Sequence, residues 1–320
     1  MRYVFICPLA ILILIATVPL PGADLAASPA APPDLDSKQF ATLLTRAKGG
    51  DSGAETAVAL AYANGAGVAK DDRTALSWFR RAASHGSEVA ETNLGVMYQL
   101  GRGTMQDLSE AVRWFRRAAE HGNVNAQYNL ADNYLHGTGV ARNYEEALKW
   151  FMVAALKGNA AAQNNVGAMY NQGLGISPDN GEALKWFRSA AEKGYAAAQN
   201  NLGVLYQKGL GIPFDYRQAA GWYRKAAEQG YIPAQANLAW LLTHHTPVDL
   251  TSACMWLVVA QARGADASVA ELEQLRKLLS REQVDEAQTR AAAWLAGHRG
   301  RGEQASLIPA ESAVLPPAAK

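Results

Sequence analysis

Cysteine is almost absent from this chain of 320 residues, which has only Cys7 and Cys254. Cys7 lies in an apolar segment at the N-terminus, and Cys254 lies near the end of the repetitive region described below. Because the N-terminal segment has the character of a removable signal, no disulfide can form within the mature chain. We therefore predict a fold without disulfides.

An excess of charge of either sign is also missing. The chain has 30 Lys and Arg residues against 29 Asp and Glu residues, a formal net charge of +1. This balance gives no reason to expect nucleic acid or an anionic membrane surface as the partner. The pair His244-His245 is not a convincing metal site, because adjacent residues seldom converge on one ion. We predict no metal site, no cofactor and no enzymatic activity.

Long apolar runs occur only at the N-terminus. A short basic start is followed by an apolar segment over residues 3–20 and then by small residues near Ala23 and Ala26. This order predicts a signal peptide over residues 1–27 and export to the periplasm or beyond the cell. An uncleaved inner-membrane anchor is the alternative, because about 18 apolar residues are just enough to span a bilayer.

Tryptophan recurs at a fixed spacing through the rest of the chain. Five tryptophans lie 36 residues apart and a sixth follows after 34: Trp78, Trp114, Trp150, Trp186, Trp222 and Trp256. A constant period of this length is the signature of a helical array. We predict an all-α fold in which these six tryptophans form the core of the repeats.

Each repeat is predicted to contain two short helices joined by a glycine turn. In the third repeat, the first helix has a buried stripe that ends near Tyr134, and Gly137 suits the left-handed position after it. Asn143 caps the second helix, and Glu146 three residues later predicts a reciprocal capping box. We expect the same box in four of the five full repeats, at Asp107, Asn143, Asp179 and Asp215.

The flanking segments complete the predicted organisation. Residues 28–36 are a linker rich in proline and alanine, and residues 37–50 are a half-repeat that caps the array. Repeats occupy residues 51–264, two C-terminal capping helices occupy residues 265–297, and residues 298–320 are a disordered tail.

The repeat resembles the Sel-1-like repeat (SLR), a relative of the tetratricopeptide repeat. The second repeat carries the whole pattern: Ala90, Leu94, Gly95, Tyr98, Gly101, Gly103, Asp107, Ala111, Trp114, Ala118, Ala119 and Gly122. The match recurs from about residue 54 to residue 264. This resemblance implies a right-handed α/α superhelix, or solenoid, of about six repeats that serves as a scaffold for protein binding.

One departure from the family narrows the functional expectation. A secreted branch of the family has a cysteine pair in each repeat and is linked to β-lactam binding, and this chain lacks those pairs. For exported bacterial members, the resemblance points to envelope signalling, such as periplasmic restraint of a sensor kinase, or to envelope assembly. The alternatives are an enzyme or ligand-binding protein of the cell wall, and an adaptor that keeps its N-terminal anchor.

Variation between repeats predicts where a partner binds. The first helix of each repeat usually lines the concave surface of such arrays, and differences there set specificity. The candidate residues on that face are Tyr128, Asp132, Asn164, Asn200 and Trp240. Trp240 has a second interpretation, because it could instead pack against the C-terminal capping helices. The expected partner is a protein or a peptide.

Overall fold

The computed structural model describes residues 35–245, 247–265 and 268–298, the side chain of Ser268 excepted. Within these ranges the chain forms fifteen α-helices and no strand. None of these helices is both long and apolar enough to cross a membrane. The predicted signal peptide, residues 28–34 of the predicted linker and residues 299–320 of the predicted tail lie outside the described residues.

The described residues fall into two compact units, 35–178 and 179–298. The first unit contains α1 Ser37–Lys48, α2 Ser52–Asn64, α3 Asp72–Ser84, α4 Glu88–Leu100, α5 Leu108–Glu120, α6 Val124–His136, α7 Tyr144–Leu156 and α8 Ala160–Gln172. The second contains α9 Asn180–Glu192, α10 Ala196–Lys208, α11 Tyr216–Glu228, α12 Ile232–His244, α13 Leu250–Ala262, α14 Ser268–Arg276 and α15 Arg281–Gly297.

Consecutive helices pack against each other within each unit, as expected for a helical repeat solenoid. The even-numbered helices α2 to α12 are the first helices of the repeats, and the odd-numbered helices α3 to α13 are the second ones. In the second unit, α14 and α15 both pack against α13. The all-α repeat fold predicted from the period is confirmed.

Both glycines of each turn have a structural reason. Gly137 ends α6 in the left-handed conformation with φ 75°, as predicted for the first glycine. The second glycine also has positive φ, and it approaches the preceding repeat closely. A Cβ atom on Gly175 would lie 2.7 Å from the backbone C and O of Tyr144 at the start of α7. Because no side chain fits there, the turn contacts the backbone of the neighbouring repeat directly.

The helix caps agree with the sequence, but the predicted reciprocal boxes do not form. The side chains of Asp107, Asn143, Asp179 and Asp215 each accept a backbone N–H from the residue three positions on. The glutamates at that third position turn away and pair with the residue three further along: Glu110 with Arg113, Glu146 with Lys149, and Glu182 with Lys185. The box cannot close in these repeats because the cap N–H is already used. The backbone N–H groups of Asp107, Asn143 and Asp215 donate to carbonyls of the first helix of the same repeat, those of Tyr98, Tyr134 and Tyr206.

The tryptophans lie at the edge of the core and do not form its centre. Five of the six are only partly buried, namely Trp78, Trp114, Trp150, Trp186 and Trp222, and only Trp256 is buried. The fully buried aromatic residue is the one that follows each of those five: Phe79, Phe115, Phe151, Phe187 and Tyr223. The prediction that the tryptophans are the buried core is therefore wrong for five repeats.

Small residues on the first helices make room for these buried rings. A Cβ atom on Gly95 in α4 would lie 2.5 Å from the ring of Phe115, and one on Gly203 in α10 would lie 2.6 Å from Tyr223. The glycine in the first helix and the aromatic residue in the second therefore pack as a pair, because the ring fills the space that a side chain would otherwise occupy.

Candidate binding site on the third repeat

Three of the five predicted binding residues are buried. Asn164 in α8 donates through Nδ2 to Oδ1 of Asn165, at 3.4 Å. Asn200 in α10 accepts through Oδ1 from Nδ2 of Asn237 in α12, at 2.9 Å. Asp132 in α6 is also buried. Their burial disagrees with the expectation that they lie on a face open to a partner, and at Asn200 the next first helix, α12, contacts that face.

The other two predicted residues are partly buried. Trp240 in α12 packs against the core formed with the C-terminal helices, and its ring stacks on His244 with centroids 4.8 Å apart. This arrangement agrees with its second interpretation as a packing residue. Tyr128 in α6 has its ring edge-on to Phe151, with centroids 5.5 Å apart. Tyr128 and Asp132 are four residues apart on one helix, so they share a face of α6.

Asp132 differs in kind from the residues at the same position of the other repeats. Counting 36 residues in either direction gives Leu60, Val96, Ala168 and Val204, which are apolar and buried, and Trp240, which is partly buried. The fold therefore accepts an apolar side chain at this position. A buried carboxylate there is a marked departure, because charged residues are seldom buried unless they are paired.

Within the described residues, His136 is the basic side chain that pairs with Asp132. Its Nε2 lies 3.4 Å from Oδ1 of Asp132, and 32% of its side chain is exposed. The contact is poorly aligned, because Oδ1 is fully enclosed and has no hydrogen bond of good geometry. Burial raises the pKa of Asp132 above its usual value despite this partner. The nearby carboxylate of Asp132 in turn raises the pKa of His136.

Two other buried carboxylates each have an arginine and a histidine close by, although their Oε1 atoms also lack a well-aligned hydrogen bond, and the sequence analysis did not identify them. Glu91 in α4 is fully buried, with Oε1 2.6 Å from Nε of Arg117 and Oε2 2.9 Å from Nδ1 of His121. Glu55 in α2 has the same arrangement with Arg81 and His85. These carboxylates join the two helices of one repeat and have a structural role.

The later repeats replace this ionic arrangement with a neutral one. At the position of Glu91 they have Gln127, Gln163, Gln199 and Gln235, each of which donates through Nε2 to a carbonyl at the end of the preceding second helix. Glutamate cannot donate in this way, and in the second repeat Nη2 of Arg117 reaches the corresponding carbonyl of Ala83. In the printed sequence the position of Glu91 and the position of Arg117 change together from repeat to repeat, and this covariation could have revealed the exchange.

The pairing of Asp132 and His136 makes a pH-dependent prediction. Since the pKa of His136 is raised above 6.5, its pairing stabilises the fold below that pH, and this contribution is lost as pH rises through the folded value. Replacing Asp132 with asparagine should lower the pKa of His136. An NMR titration of the imidazole signals measures this, with Lys149→Ala on α7 as the control that leaves the curve unchanged. An identical His136 curve in Asp132→Asn would contradict the assigned pair.

The chemistry of this site is suited to binding. It offers a carboxylate with unused acceptor capacity, a partly exposed imidazole and an aromatic ring one turn away. Among the described residues no group of three or more His, Cys, Asp and Glu side chains could hold a metal ion. These groups are suited to recognise a hydrogen-bond donor or a cation.

Comparison with known proteins identifies the repeats of this chain. A family model described as Sel1 repeat matches residues 52–87, 89–123, 124–159, 160–195 and 196–231. A Sel1 repeat protein from Oxalobacter formigenes has 31% sequence identity and a TM-score of 0.65, and the match covers 70% of this chain and 90% of that one. No curated protein matches the chain.

A second solved structure is similar over a larger part of this chain. It is a protective antigen present in uropathogenic Escherichia coli strains that displays an SLR fold. Its sequence is 32% identical, its TM-score is 0.79, and the match covers 88% of this chain. This chain spans only 61% of the length of that antigen.

Proposed function

The chain belongs to the Sel1 repeat family, whose members are scaffolds for protein–protein interaction, and from that premise we propose that it is an exported, non-enzymatic scaffold. It binds a protein or peptide on the face formed by the first helices of the repeats. The role we propose is in signalling or assembly of the bacterial envelope.

One observation supports this proposal more than any other. Asp132 places an incompletely satisfied carboxylate on a first helix, at a position where four other repeats have a buried apolar residue. Groups that cost stability and are not needed for packing are typical of functional sites. We therefore place the centre of the binding face at α6, with Tyr128 and His136 beside Asp132.

The proposed location rests on the N-terminal sequence. A basic start, an apolar segment over residues 3–20 and the following small residues are typical of a cleaved signal peptide. The mature protein isolated from the envelope should begin between Ala23 and Ser28, as measured by N-terminal sequencing. A mature chain that still begins at Met1 would favour the anchored adaptor.

Hydrogen exchange on a captured complex tests the binding face. The exported protein is cross-linked in cells, its partner is identified and purified, and amide exchange is compared with and without that partner. We expect slower exchange in peptides that cover α6, because a bound partner excludes water from that helix. An unrelated exported protein at equal concentration is the control. Protection confined to α5 and α7, with α6 unchanged, would contradict the proposed face.

A further inference from the structure

We propose that Asp132 binds a cationic side chain of the partner, a lysine or an arginine, which takes the place of His136 beside the carboxylate. This inference rests on the proposed function, because it names the chemistry that the partner presents to α6. Three features of the described residues support it: the position of the carboxylate, its unused acceptor capacity, and the way in which His136 covers it.

The stack does not need a carboxylate at this position. The equivalent residues Leu60, Val96, Ala168 and Val204 are buried and apolar, so packing alone would be served by valine or alanine. A buried carboxylate instead loses its hydration, and only good hydrogen bonds or an opposite charge compensate for this loss. A ligand that supplies a positive charge would therefore compensate at Asp132 and at none of the equivalent apolar residues.

The carboxylate is also incompletely satisfied by its own chain. Oδ1 of Asp132 has no well-aligned hydrogen bond, and Nε2 of His136 approaches it only to 3.4 Å. Oε1 of Glu91 also lacks a well-aligned hydrogen bond, but Glu91 has two basic partners, an arginine at 2.6 Å and a histidine at 2.9 Å, where Asp132 has one at 3.4 Å. A guanidinium or ammonium group carries several donors and a full charge, so it would complete the shell that His136 leaves open.

His136 is placed to be displaced. It is the last residue of α6, and 32% of its side chain is exposed, so it can rotate toward solvent and away from Oδ1 of Asp132. The equivalent residues in the neighbouring repeats are Leu100 and Gln172, which carry no charge. The C-terminal end of a helix also attracts positive charge. The carboxylate and the end of α6 therefore favour a cation at the same place.

The probe for this inference is Nα-acetyl-arginine amide, compared with Nα-acetyl-citrulline amide, which has nearly the same shape but no charge. Binding to the full mature protein is followed by NMR shifts of α6 amide signals. We expect saturable binding of the arginine probe to the unchanged protein. Binding should be about tenfold weaker or more when citrulline replaces arginine, and equally when Asp132→Asn replaces the unchanged protein, because each change removes a charge-assisted hydrogen bond. His136→Ala should tighten arginine binding, since it removes the competing group. Lys149→Ala is the control variant and should leave arginine binding unchanged.

Equal binding of arginine and citrulline, or undiminished arginine binding in Asp132→Asn, would overturn the inference. Weaker arginine binding in His136→Ala would also overturn it, because His136 would then be a ligand and not a competitor. The two proposals fail separately. If the partner protects α6 but arginine amide does not bind, the scaffold proposal stands and the cation site is wrong. If arginine amide binds at Asp132 but the partner protects other helices, the proposed binding face is wrong.

Discussion

Replacing Phe151 with alanine should lower the free energy of unfolding by about 3–5 kcal/mol, because a completely enclosed aromatic ring is removed and a cavity remains. Phe151 is fully buried in α7, and Tyr128 of α6 lies edge-on to its ring. The loss should therefore appear as weaker packing between the two helices of the third repeat. Urea unfolding followed by circular dichroism measures it.

The adjacent tryptophan is the matched comparison. Trp150 is only partly buried, so Trp150→Ala removes a ring that keeps some contact with water and should cost less than Phe151→Ala. The slope of unfolding against urea must be the same in both variants, because a changed slope would indicate partial unfolding of the array. If Trp150→Ala lowers the free energy of unfolding more than Phe151→Ala does, Phe151 is not the central core residue of this repeat.

Removing Arg117 should destabilise the second repeat by about 1–3 kcal/mol, because the buried carboxylate of Glu91 keeps only His121 as its partner. Since 49% of the Arg117 side chain is exposed, solvent screening keeps the loss below that of a fully buried ion pair. Arg117→Val deletes the Nε donor that lies 2.6 Å from Oε1 of Glu91. It also removes the donor to the carbonyl of Ala83. Valine is the chosen replacement because the third repeat has Val153 at this position.

A double variant that combines Arg117→Val with a change of Glu91 makes this prediction specific. Adding Glu91→Gln should restore most of the lost stability, because the glutamine amide can donate to Ala83 as Gln127 does to the carbonyl of Ala119. The double variant then has the neutral arrangement of the third repeat. Urea unfolding of both single variants and the double variant gives the coupling energy. If Glu91→Gln brings no recovery, the exchange of ionic for neutral pairing between repeats is wrong.

The fold could be predicted from the sequence because the repeat determines both helix length and turn position. Spacing placed Gly137 correctly at the end of α6, and the caps of the second helices were correct as well. The reciprocal boxes were wrong, because a capping motif takes no account of contacts made elsewhere in the repeat. The backbone N–H of Asn143 donates to the carbonyl of Tyr134, and Glu146 pairs with Lys149 instead.

The centre of the core could not be read from periodicity alone. Trp150 and Phe151 recur with the same spacing, so the period marks both positions equally. Adjacent helical residues point about 100° apart, which means that only one of the two can face the first helix directly. The structure shows that it is the second one. Gly95, whose Cβ position is filled by the ring of Phe115, carried the relevant signal.

The candidate site was predicted only in part. Asn164 and Asn200 were chosen on the assumption that a first helix has one buried stripe and one free side. A first helix inside a stack also contacts equivalent helices, as Asn237 of α12 does with Asn200 of α10, so such a side is enclosed. Asp132 was among the predicted residues, but its burial and its pairing with His136 needed the structure.

Substitution of Asp132 by valine, with stability and partner binding measured on the same sample, tests the central claim most directly. Valine occupies this position in two other repeats, at Val96 and Val204. We expect the free energy of unfolding to rise by about 1–2 kcal/mol, because a poorly paired buried charge is replaced by an apolar side chain. We also expect the captured partner to be lost, although the protein is better folded. A less stable variant would make Asp132 a structural residue, and a stabilised variant that retains its partner would contradict binding at α6.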